Sequence, residues 1–372
     1  MKIICFTESL AAGGAQRQLV NLAVLFKAKG YDVDFLTYRK EDFFKSYLDD
    51  AGIIVHQVSN SNYFNRVFSV RKYIRTSDAD IVLSFLEVPN FLACLAAIGR
   101  HKWKLITTEL SAKQETFSSK KNRLFLWFQR FSDKIVCNSK NAENMWRQNC
   151  PQYANKLQTI YNPIIIEKDK LQKNFLGEKT HRNIIIPASY QYLKNPIRLI
   201  EAINMLTPEE KEIIRIDWYG KKAPMIGNTV AYDDSCMLVE KYQLGNIVRL
   251  HEQTTNIYHV MAQADAIGLF STVEGLPNAV CEGMMLSKPI IMTKISDYEV
   301  FSSSFGIILC EPDSSKSIRN ALSKFLSTDK QKLELMGKSN CILADRIFSP
   351  ERIIEQWHEL FNKMLDMHKG RL

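Results

Sequence analysis

The sequence has few of the features that mark metal sites and disulfide frameworks. Its eight cysteines form no Cys-x-x-Cys pair, and its seven histidines are scattered without a His-Glu-x-x-His or comparable cluster. Asp233 and Asp234 lie in a polar stretch that is expected to be a loop, without further ligands. Cys5 and Cys137 lie in apolar runs, which indicates core thiols in a reducing compartment. We therefore expect neither a zinc protein nor a disulfide-bonded one.

Long apolar runs and hydrolase motifs are also missing. The apolar run over residues 3–6 is too short for a signal peptide, and the run over residues 91–98 is too short to span a bilayer. No Gly-x-Ser-x-Gly or Cys–His arrangement indicates hydrolysis through an enzyme nucleophile. We expect a cytoplasmic protein, either free or peripheral on the cytoplasmic face of a membrane.

The composition is that of a globular protein with a basic surplus. The chain has 372 residues, of which 46% are hydrophobic and 24% charged, so it can form two domains. Its net charge is +9. Such a surplus favours anionic partners, either nucleotide phosphates or an anionic membrane surface. No nucleic-acid-binding motif accompanies it, so nucleic acid is not an expected partner.

The most informative stretch of the chain is a loop and helix between two apolar runs. Residues 266–270 and 289–292 are predicted to be buried strands, and the residues from Pro277 to about Ser287 suit a helix, with proline at the first helical position. The stretch is therefore one βαβ unit with a parallel pair of strands. Gly275 lets the backbone approach a ligand, and the N–H groups at the helix start favour an anion such as phosphate.

Two carboxylates accompany this predicted phosphate site. Glu274 lies in the loop, and Glu282 lies about a turn and a half into the helix. Carboxylates at these places can accept hydrogen bonds from the hydroxyls of a sugar or a ribose. The pattern fits a sugar nucleotide, and the alternative is an ordinary βαβ loop with two solvated glutamates.

Elsewhere the chain alternates strands and helices. A strand over residues 2–6 leads through a Gly13-Gly14 loop into a helix that Gly30 ends. Helical patterns separate most of the later strands, which indicates doubly wound parallel sheets. The polar residues 167–182 are predicted to be an interdomain linker. The later strands are expected at residues 33–37, 53–55, 81–85, 104–107, 134–137, 157–160, 183–187, 213–219 and 248–251.

These motifs resemble those of family 4 glycosyltransferases. Glu274 is followed by Gly-Leu-Pro-Asn, Glu282 is followed by Gly-Met, and the opening Gly-Gly-Ala-Gln-Arg over residues 13–17 is similar to the family's Gly-Gly-Ala-Glu-Arg. The resemblance implies an α/β protein of GT-B architecture, with two Rossmann-like doubly wound domains facing a cleft. We expect an acceptor domain over residues 1–166, a linker over 167–182, a donor domain over 183–349 and a C-terminal helix over 350–372 that packs back on the first domain.

The resemblance also implies roles for individual residues. Glu274 and Lys194 are the expected catalytic residues, and Gly13 and Glu109 are expected on the acceptor side, where Glu109 is as readily an ordinary exposed acid. Ser189 stands where the family usually has an arginine that neutralises the donor diphosphate, so Lys194 is the one remaining cation of the family's pair. The expected donor-binding residues are Gly14, Ser189, Lys194, Glu274, Gly275, Leu276, Pro277, Asn278 and Glu282.

The implied activity is a retaining, metal-independent transfer of a sugar from a UDP- or GDP-linked donor to a glycan or lipid-linked acceptor. No cofactor other than this co-substrate is expected, and surface polysaccharide assembly is the expected setting. The alternatives are a sugar-nucleotide epimerase of similar fold and a non-catalytic scaffold subunit that binds a sugar nucleotide.

A possible membrane contact is a basic, aromatic helix predicted over residues 120–131. Its apolar stripe is expected to face the core of the first domain. Its cations and Phe125 then remain for an anionic membrane surface. The stripe consists of Leu124, Trp127, Phe128 and Phe131, and the cations are Lys120, Lys121, Arg123 and Arg130.

Overall fold

The computed structural model describes residues 1–58, 62–110, 114–166, 171, 181–224 and 227–369. They form two compact units. The first unit contains Met1–Ile165 together with Phe348–Leu372, and the second contains Ile166–Ile347. The linker expected over residues 167–182 lies outside the described residues, except for residues 171, 181 and 182.

Seven parallel strands form the sheet of the first unit. They are β1 (Lys2–Phe6), β2 (Asp32–Thr37), β3 (Ile54–Gln57), β4 (Ile81–Ser84), β5 (Lys104–Glu109), β6 (Lys134–Cys137) and β7 (Leu157–Thr159). Their order is β3-β2-β1-β4-β5-β6-β7, so the direction of winding reverses between β1 and β4. The helices are α1 (Gly14–Ala28), α2 (Lys45–Asp50), α3 (Tyr63–Thr76), α4 (Glu87–Ala96), α5 (Glu115–Ser118), α6 (Lys120–Phe128) and α7 (Lys140–Asn149).

Both faces of this sheet are buried. On β1, Ile3 and Cys5 belong to one cluster of buried residues, and Ile4 and Phe6 belong to another. Successive strand residues point to opposite faces, so an apolar run without alternation suits a strand that is covered on both sides.

The second unit repeats this architecture with six parallel strands. They are β8 (Arg182–Pro187), β9 (Ile214–Tyr219), β10 (Val248–His251), β11 (Ala266–Leu269), β12 (Ile290–Thr293) and β13 (Ile307–Cys310), in the order β10-β9-β8-β11-β12-β13. The helices are α8 (Pro196–Asn204), α9 (Pro208–Ile213), α10 (Val230–Lys241), α11 (Ile257–Gln263), α12 (Asn278–Met285), α13 (Tyr298–Phe301), α14 (Ser315–Ser327) and α15 (Lys330–Phe348).

The last helix, α16 (Pro350–Lys369), belongs to the first unit. Its Trp357 and Phe361 are buried against Phe26 of α1, with ring centroids 6.0 and 5.4 Å apart. Such aromatic pairs contribute to stability beyond the area that they bury. The terminal helix thereby extends the core of the first unit.

The prediction of a loop around Asp233 and Asp234 is wrong, because both residues lie in helix α10. Thr229 Oγ1 donates a hydrogen bond to Asp233 at 2.6 Å, and the Tyr192 hydroxyl donates one to Asp234. The polar residues form the exposed side of a surface helix, a pattern that sequence alone easily takes for a loop.

The orientation expected for the basic, aromatic helix is also wrong in part. On α6, Leu124 and Trp127 are 52% and 48% exposed, although they were expected in the core. Phe125, which was expected to be free for lipid, stacks on Phe91 of α4 with ring centroids 4.6 Å apart, and Phe128 packs edge-on to Phe91 at 4.8 Å. Contact with α4 therefore turns the helix by about one residue from the expected face.

The cysteines are all free thiols, and six of the eight are buried. Burial raises the pKa of the Cys281 thiol, and the neighbouring Glu282 carboxylate raises it further. These residues act as small apolar core residues.

Candidate active site

The residues of the donor motif lie at the switch point of the second sheet. Strands β8 and β11 are neighbours, and the strand order runs outward from them in opposite directions. Since the strands are parallel, the loop after β8 and the loop after β11 leave the sheet at the same edge. Open α/β sheets bind their ligands at this place.

An ion pair joins these two loops. Lys194 Nζ lies 2.5 Å from Glu274 Oε1, and Ser271 Oγ donates a hydrogen bond to the same oxygen at 2.7 Å. The Leu193 carbonyl accepts a hydrogen bond from the Thr272 N–H at 2.8 Å, so backbone and side chains both hold the loops together. The structure thus brings the two predicted catalytic residues into contact. Glu274 Oε2 accepts no hydrogen bond from the described residues.

Local geometry explains how Lys194 reaches this position. Residues Tyr192–Lys194 form a 3-10 turn, and Asn195 adopts a left-handed conformation with φ 64° and ψ 41°. Asparagine tolerates this conformation better than most residues. Pro196 then occupies the first turn of α8, where a missing N–H has no cost. The Asn-Pro step therefore ends the turn directly after Lys194.

Helix α12 begins one residue later than the sequence suggests. Pro277 is the N-cap residue, and Asn278 is the first helical residue. The N–H groups of Asn278 and Val280 already donate to the carbonyls of Leu276 and Pro277. These two N–H groups are therefore not available to an anion, which corrects the expectation of a fully open helix start.

Other backbone N–H groups of the same loop remain available. Within the described part of the chain, the N–H groups of Gly275, Leu276 and Ala279 donate to no protein acceptor. The Gly275 carbonyl is held by the hydroxyl of Ser296. The loop therefore presents backbone donors next to the Lys194–Glu274 pair, as a phosphate site requires.

Gly283 sets the distance of α12 from the sheet. A Cβ atom at this residue would lie 2.8 Å from Ile267 Cγ1 on β11 and 2.9 Å from Ile290 Cδ1 on β12. Only glycine lets the helix lie this close to both strands. This close packing fixes the start of α12 above the strand ends.

Glu282 lies on the buried side of α12 and is 5% exposed. The Tyr258 hydroxyl of α11 donates a hydrogen bond to Glu282 Oε1 at 3.1 Å. A buried carboxylate is costly unless hydrogen bonds satisfy it, so Tyr258 helps to fix its orientation. Its role toward a ribose stays a prediction.

Ser189 follows β8 and is partly buried. Its Oγ accepts a hydrogen bond from Gln191 Nε2 at 2.7 Å. The structure therefore places a small neutral side chain where the resemblance implies an arginine.

The residues predicted on the acceptor side belong to the first unit. Gly13 is the N-cap of α1 and Gly14 is its first residue, after the carboxyl end of β1. Glu109 ends β5, and its Oε2 accepts a hydrogen bond from Trp146 Nε1 at 3.0 Å. Glu109 is therefore held in place by a neighbour and is not the freely exposed acid of the alternative. The roles of Gly13, Gly14 and Glu109 toward a substrate stay predictions.

Glu109 lines a cavity of about 510 Å³ at the switch point of the first sheet. The cavity also contacts Glu8 after β1, Glu87 and Asn90 of α4, and Phe125 of α6. Asn90 is 6% exposed; its Nδ2 donates to the Thr108 carbonyl at 2.8 Å, and its Oδ1 has no hydrogen-bond partner among the described residues. Carboxylate and amide oxygens therefore accompany an aromatic ring in this cavity.

Backbone strain marks the same cavity. Leu86, which follows β4 and caps α4, has φ 81° and ψ 156°, a conformation that favours glycine. Leu86 lines the cavity. Strained residues of this kind cluster at ligand sites.

Two doubly wound units with a site of this kind are typical of the GT-B fold, and comparison with known proteins identifies the family. The model for Glycosyltransferase Family 4 matches residues 12–168, and the model for Glycosyl transferases group 1 matches residues 167–340. The chain belongs to the family 4 glycosyltransferases of GT-B fold, which confirms the resemblance drawn from its motifs.

Individual relatives are similar over nearly the whole chain. An N-acetylgalactosamine-N,N'-diacetylbacillosaminyl-diphospho-undecaprenol 4-alpha-N-acetylgalactosaminyltransferase of Campylobacter jejuni is 22% identical, over 91% of this chain and 93% of the relative. An amylovoran biosynthesis glycosyltransferase of Erwinia amylovora is 19% identical, over 97% and 99%. The Anabaena protein Alr3699/HepE, crystallised with UDP and glucose, has a TM-score of 0.83 at 19% identity, over 98% of this chain and all of that one.

Ser271 and Tyr258 belong to the site although no motif singles them out. Ser271 holds Glu274, and Tyr258 holds Glu282. Ser271 directly precedes the motif, so its position offers a signal. Tyr258 lies 24 residues before its partner on another helix, and only the tertiary structure reveals the contact.

Proposed function

We propose that this protein transfers a sugar from a UDP- or GDP-linked donor to a glycan or lipid-linked acceptor in the synthesis of a surface polysaccharide. The observation that carries this proposal is the Lys194–Glu274 pair beside the N–H groups of Gly275, Leu276 and Ala279. The lysine and the N–H groups can hold a diphosphate, and the carboxylate can hold sugar hydroxyls. Family membership and the relatives named above support the same reaction class.

In the proposed reaction, negative charge develops on the diphosphate as the bond to the sugar breaks. Lys194 and the loop N–H groups stabilise this charge, as preorganised donors do in other transferases. Glu274 Oε2 accepts a hydrogen bond from the donor sugar and fixes its position. The transfer proceeds with retention and needs neither a metal ion nor a further cofactor. These two features follow from the family resemblance.

Nucleotide binding tests the proposal. The test is a thermal-shift panel of UDP, GDP, ADP and CMP, followed by their sugars. UDP or GDP is expected to raise the melting temperature of the protein, because a ligand that binds only the folded state stabilises it. Release of nucleoside diphosphate from the sugar nucleotide would then distinguish an enzyme from a scaffold that only binds. A sugar isomer as the only product would instead identify an epimerase.

We propose that the cavity of the first unit binds the acceptor sugar. Glu87 is exposed at the start of α4 and makes no hydrogen bond among the described residues, and the Phe125 ring, which stacks on Phe91, lines the same cavity. Carboxylates and amide oxygens accept hydrogen bonds from sugar hydroxyls, and an aromatic ring packs on the apolar face of a sugar.

Replacing Glu87 with glutamine is expected to raise the KM for the acceptor roughly tenfold, because a charge-assisted hydrogen bond is worth about 1.5–3 kcal/mol. Transfer to a panel of p-nitrophenyl glycosides measures this effect. Nucleotide binding is expected to stay unchanged, since Glu87 lies in the other unit. An unchanged KM for every glycoside that serves as acceptor would contradict the assignment.

A membrane surface is the proposed place where the acceptor is met. Among the described residues, no helix combines the length and apolarity needed to cross a bilayer. Helix α6 instead exposes Leu124 and Trp127 next to Arg123, and Arg130 lies over the Trp127 ring at 4.2 Å. The side chains of Lys120 and Lys121 lie outside the described residues. Exposed aromatic and basic side chains of this kind fit an anionic bilayer surface.

The protein is expected to sediment with vesicles that contain anionic lipid, and less so at high salt, because screening weakens surface charge contacts. The double variant Arg123→Gln with Trp127→Ala is expected to bind these vesicles less, while its melting temperature stays close to that of the wild type. Glu334 and Leu335 are exposed on α15, so Leu335→Ala is a suitable control. A protein that stays in the supernatant at low salt would point to a soluble acceptor.

A further inference from the structure

The proposed donor site has little positive charge that is not already paired. Lys194 is paired with Glu274, and Ser189 supplies no charge at the end of β8. A nucleoside diphosphate brings at least two negative charges close to this edge of the sheet. A second cation would strengthen the binding of the diphosphate beyond what Lys194 and the loop N–H groups provide.

Three other lysines follow strands at this edge of the second sheet. Lys294, after β12, lies 2.5 Å from Glu311, and Lys222, after β9, lies over the Tyr232 ring at 4.6 Å. Lys221 is exposed and has neither a hydrogen bond nor an ion pair from its side chain to the described residues. Of these three lysines, only Lys221 is therefore free to meet a ligand.

Lys221 is a direct neighbour of the loop that contains Ser189. The parallel pairing of β8 and β9 ends at Pro187 and Tyr219, and the Tyr190 N–H donates to the Lys221 carbonyl at 3.1 Å just beyond it. The two backbones therefore run side by side past the ends of the strands. The Lys221 residue lies beside the chain segment on which the arginine would stand.

Gly220 makes this approach possible. A Cβ atom on Gly220 would lie 1.9 Å from the Ala188 carbonyl oxygen and 2.9 Å from Ser189 Cα. Any other residue would push the loop after β9 away from Ser189. Gly220 thus lets the loop after β9 lie close to Ser189, and Lys221 is the next residue of that loop.

We propose that Lys221 supplies the second positive charge for the donor diphosphate. It would replace the arginine that the family usually has at the position of Ser189. This inference rests on the proposed function, because it assumes that a nucleoside diphosphate binds at the end of β8. It makes Lys221 a specificity-determining residue for the diphosphate, while the nucleoside is recognised elsewhere.

The test compares diphosphate and monophosphate by calorimetric titration with UDP and UMP, and with GDP and GMP. Lys221→Ala is expected to weaken UDP or GDP binding roughly three- to tenfold and to leave the matching monophosphate less affected. Lys221→Arg is expected to keep the affinity. Added salt is expected to narrow the difference between wild type and Lys221→Ala.

Rescue by an arginine at the neighbouring position gives the sharpest outcome. The double variant Ser189→Arg with Lys221→Ala is expected to regain the diphosphate affinity that Lys221→Ala loses. Lys338→Ala is the matched control: Lys338 is an exposed lysine of the same unit, and its neighbour Gly337 packs against Ser287, ahead of β12 at the opposite edge of the sheet. If Lys221→Ala lowers the affinity for diphosphate and monophosphate equally, or lowers neither, the proposal is overturned. If the wild type binds none of the four nucleotides, the proposed function itself fails.

Discussion

Replacement of Glu282 by alanine is expected to weaken the binding of both UDP and UMP, or of both GDP and GMP, by roughly tenfold or more. Glu282 is 5% exposed and is oriented by the Tyr258 hydroxyl, so a ribose hydroxyl would meet a carboxylate that is already fixed. The loss of such a hydrogen bond costs about 1.5–3 kcal/mol. Isothermal titration calorimetry with the bare nucleotides measures it without any need for the acceptor.

Two further variants separate this role from a structural one. Glu282→Gln keeps an oxygen that can accept from Tyr258, so the fold is expected to survive while ribose binding weakens less than in the alanine variant. Tyr258→Phe removes the positioning hydroxyl, and its effect on nucleotide affinity is expected to be smaller than that of Glu282→Ala. A folded Glu282→Ala protein with unchanged nucleotide affinity would show that the carboxylate serves only the packing of α11 on α12.

The sequence predicts where the donor motif lies in the second unit, because the signal is local. Gly275, Pro277 and the two glutamates all lie in the loop and helix that directly follow β11, and the βαβ pattern alone puts the start of this segment at a sheet edge. No local signal predicts the ion-pair partner of Glu274. Lys194 is 80 residues away, and only the family resemblance connects it to the motif before the fold does.

The features that sequence reasoning missed depend on packing between elements. The exposed face of α6 differs from the expected one because Phe91 of α4 takes Phe125 and Phe128 as partners. The periodicity of a sequence predicts the apolar stripe of a helix, but it does not predict which neighbouring element packs on the helix. The strained Leu86 is invisible in the same way, since leucine in a sequence carries no signal of a positive φ.

Replacement of Glu274 is expected to lower transfer strongly while leaving the nucleotide bound. In the structure Glu274 Oε1 is occupied by Lys194 and Ser271, and Oε2 accepts nothing from the described residues. A sugar hydroxyl on Oε2 would be lost in Glu274→Ala, which costs about 1.5–3 kcal/mol, or roughly ten- to a hundredfold in kcat/KM. Release of nucleoside diphosphate from the sugar nucleotide, with water as acceptor, measures this loss before the natural acceptor is known.

The Lys194–Glu274 ion pair determines whether each variant binds the nucleoside diphosphate more tightly or less tightly than the wild type. Without Glu274, Lys194 loses its carboxylate partner and faces the diphosphate alone, so Glu274→Ala is expected to bind UDP or GDP at least as tightly as the wild type. Lys194→Ala is expected to do the opposite, because it removes the cation and leaves an unpaired carboxylate that repels phosphate. The two variants therefore move diphosphate affinity in opposite directions while both lower turnover. Weaker diphosphate binding in both variants would mean that the pair holds the two loops together and that neither residue meets the donor directly.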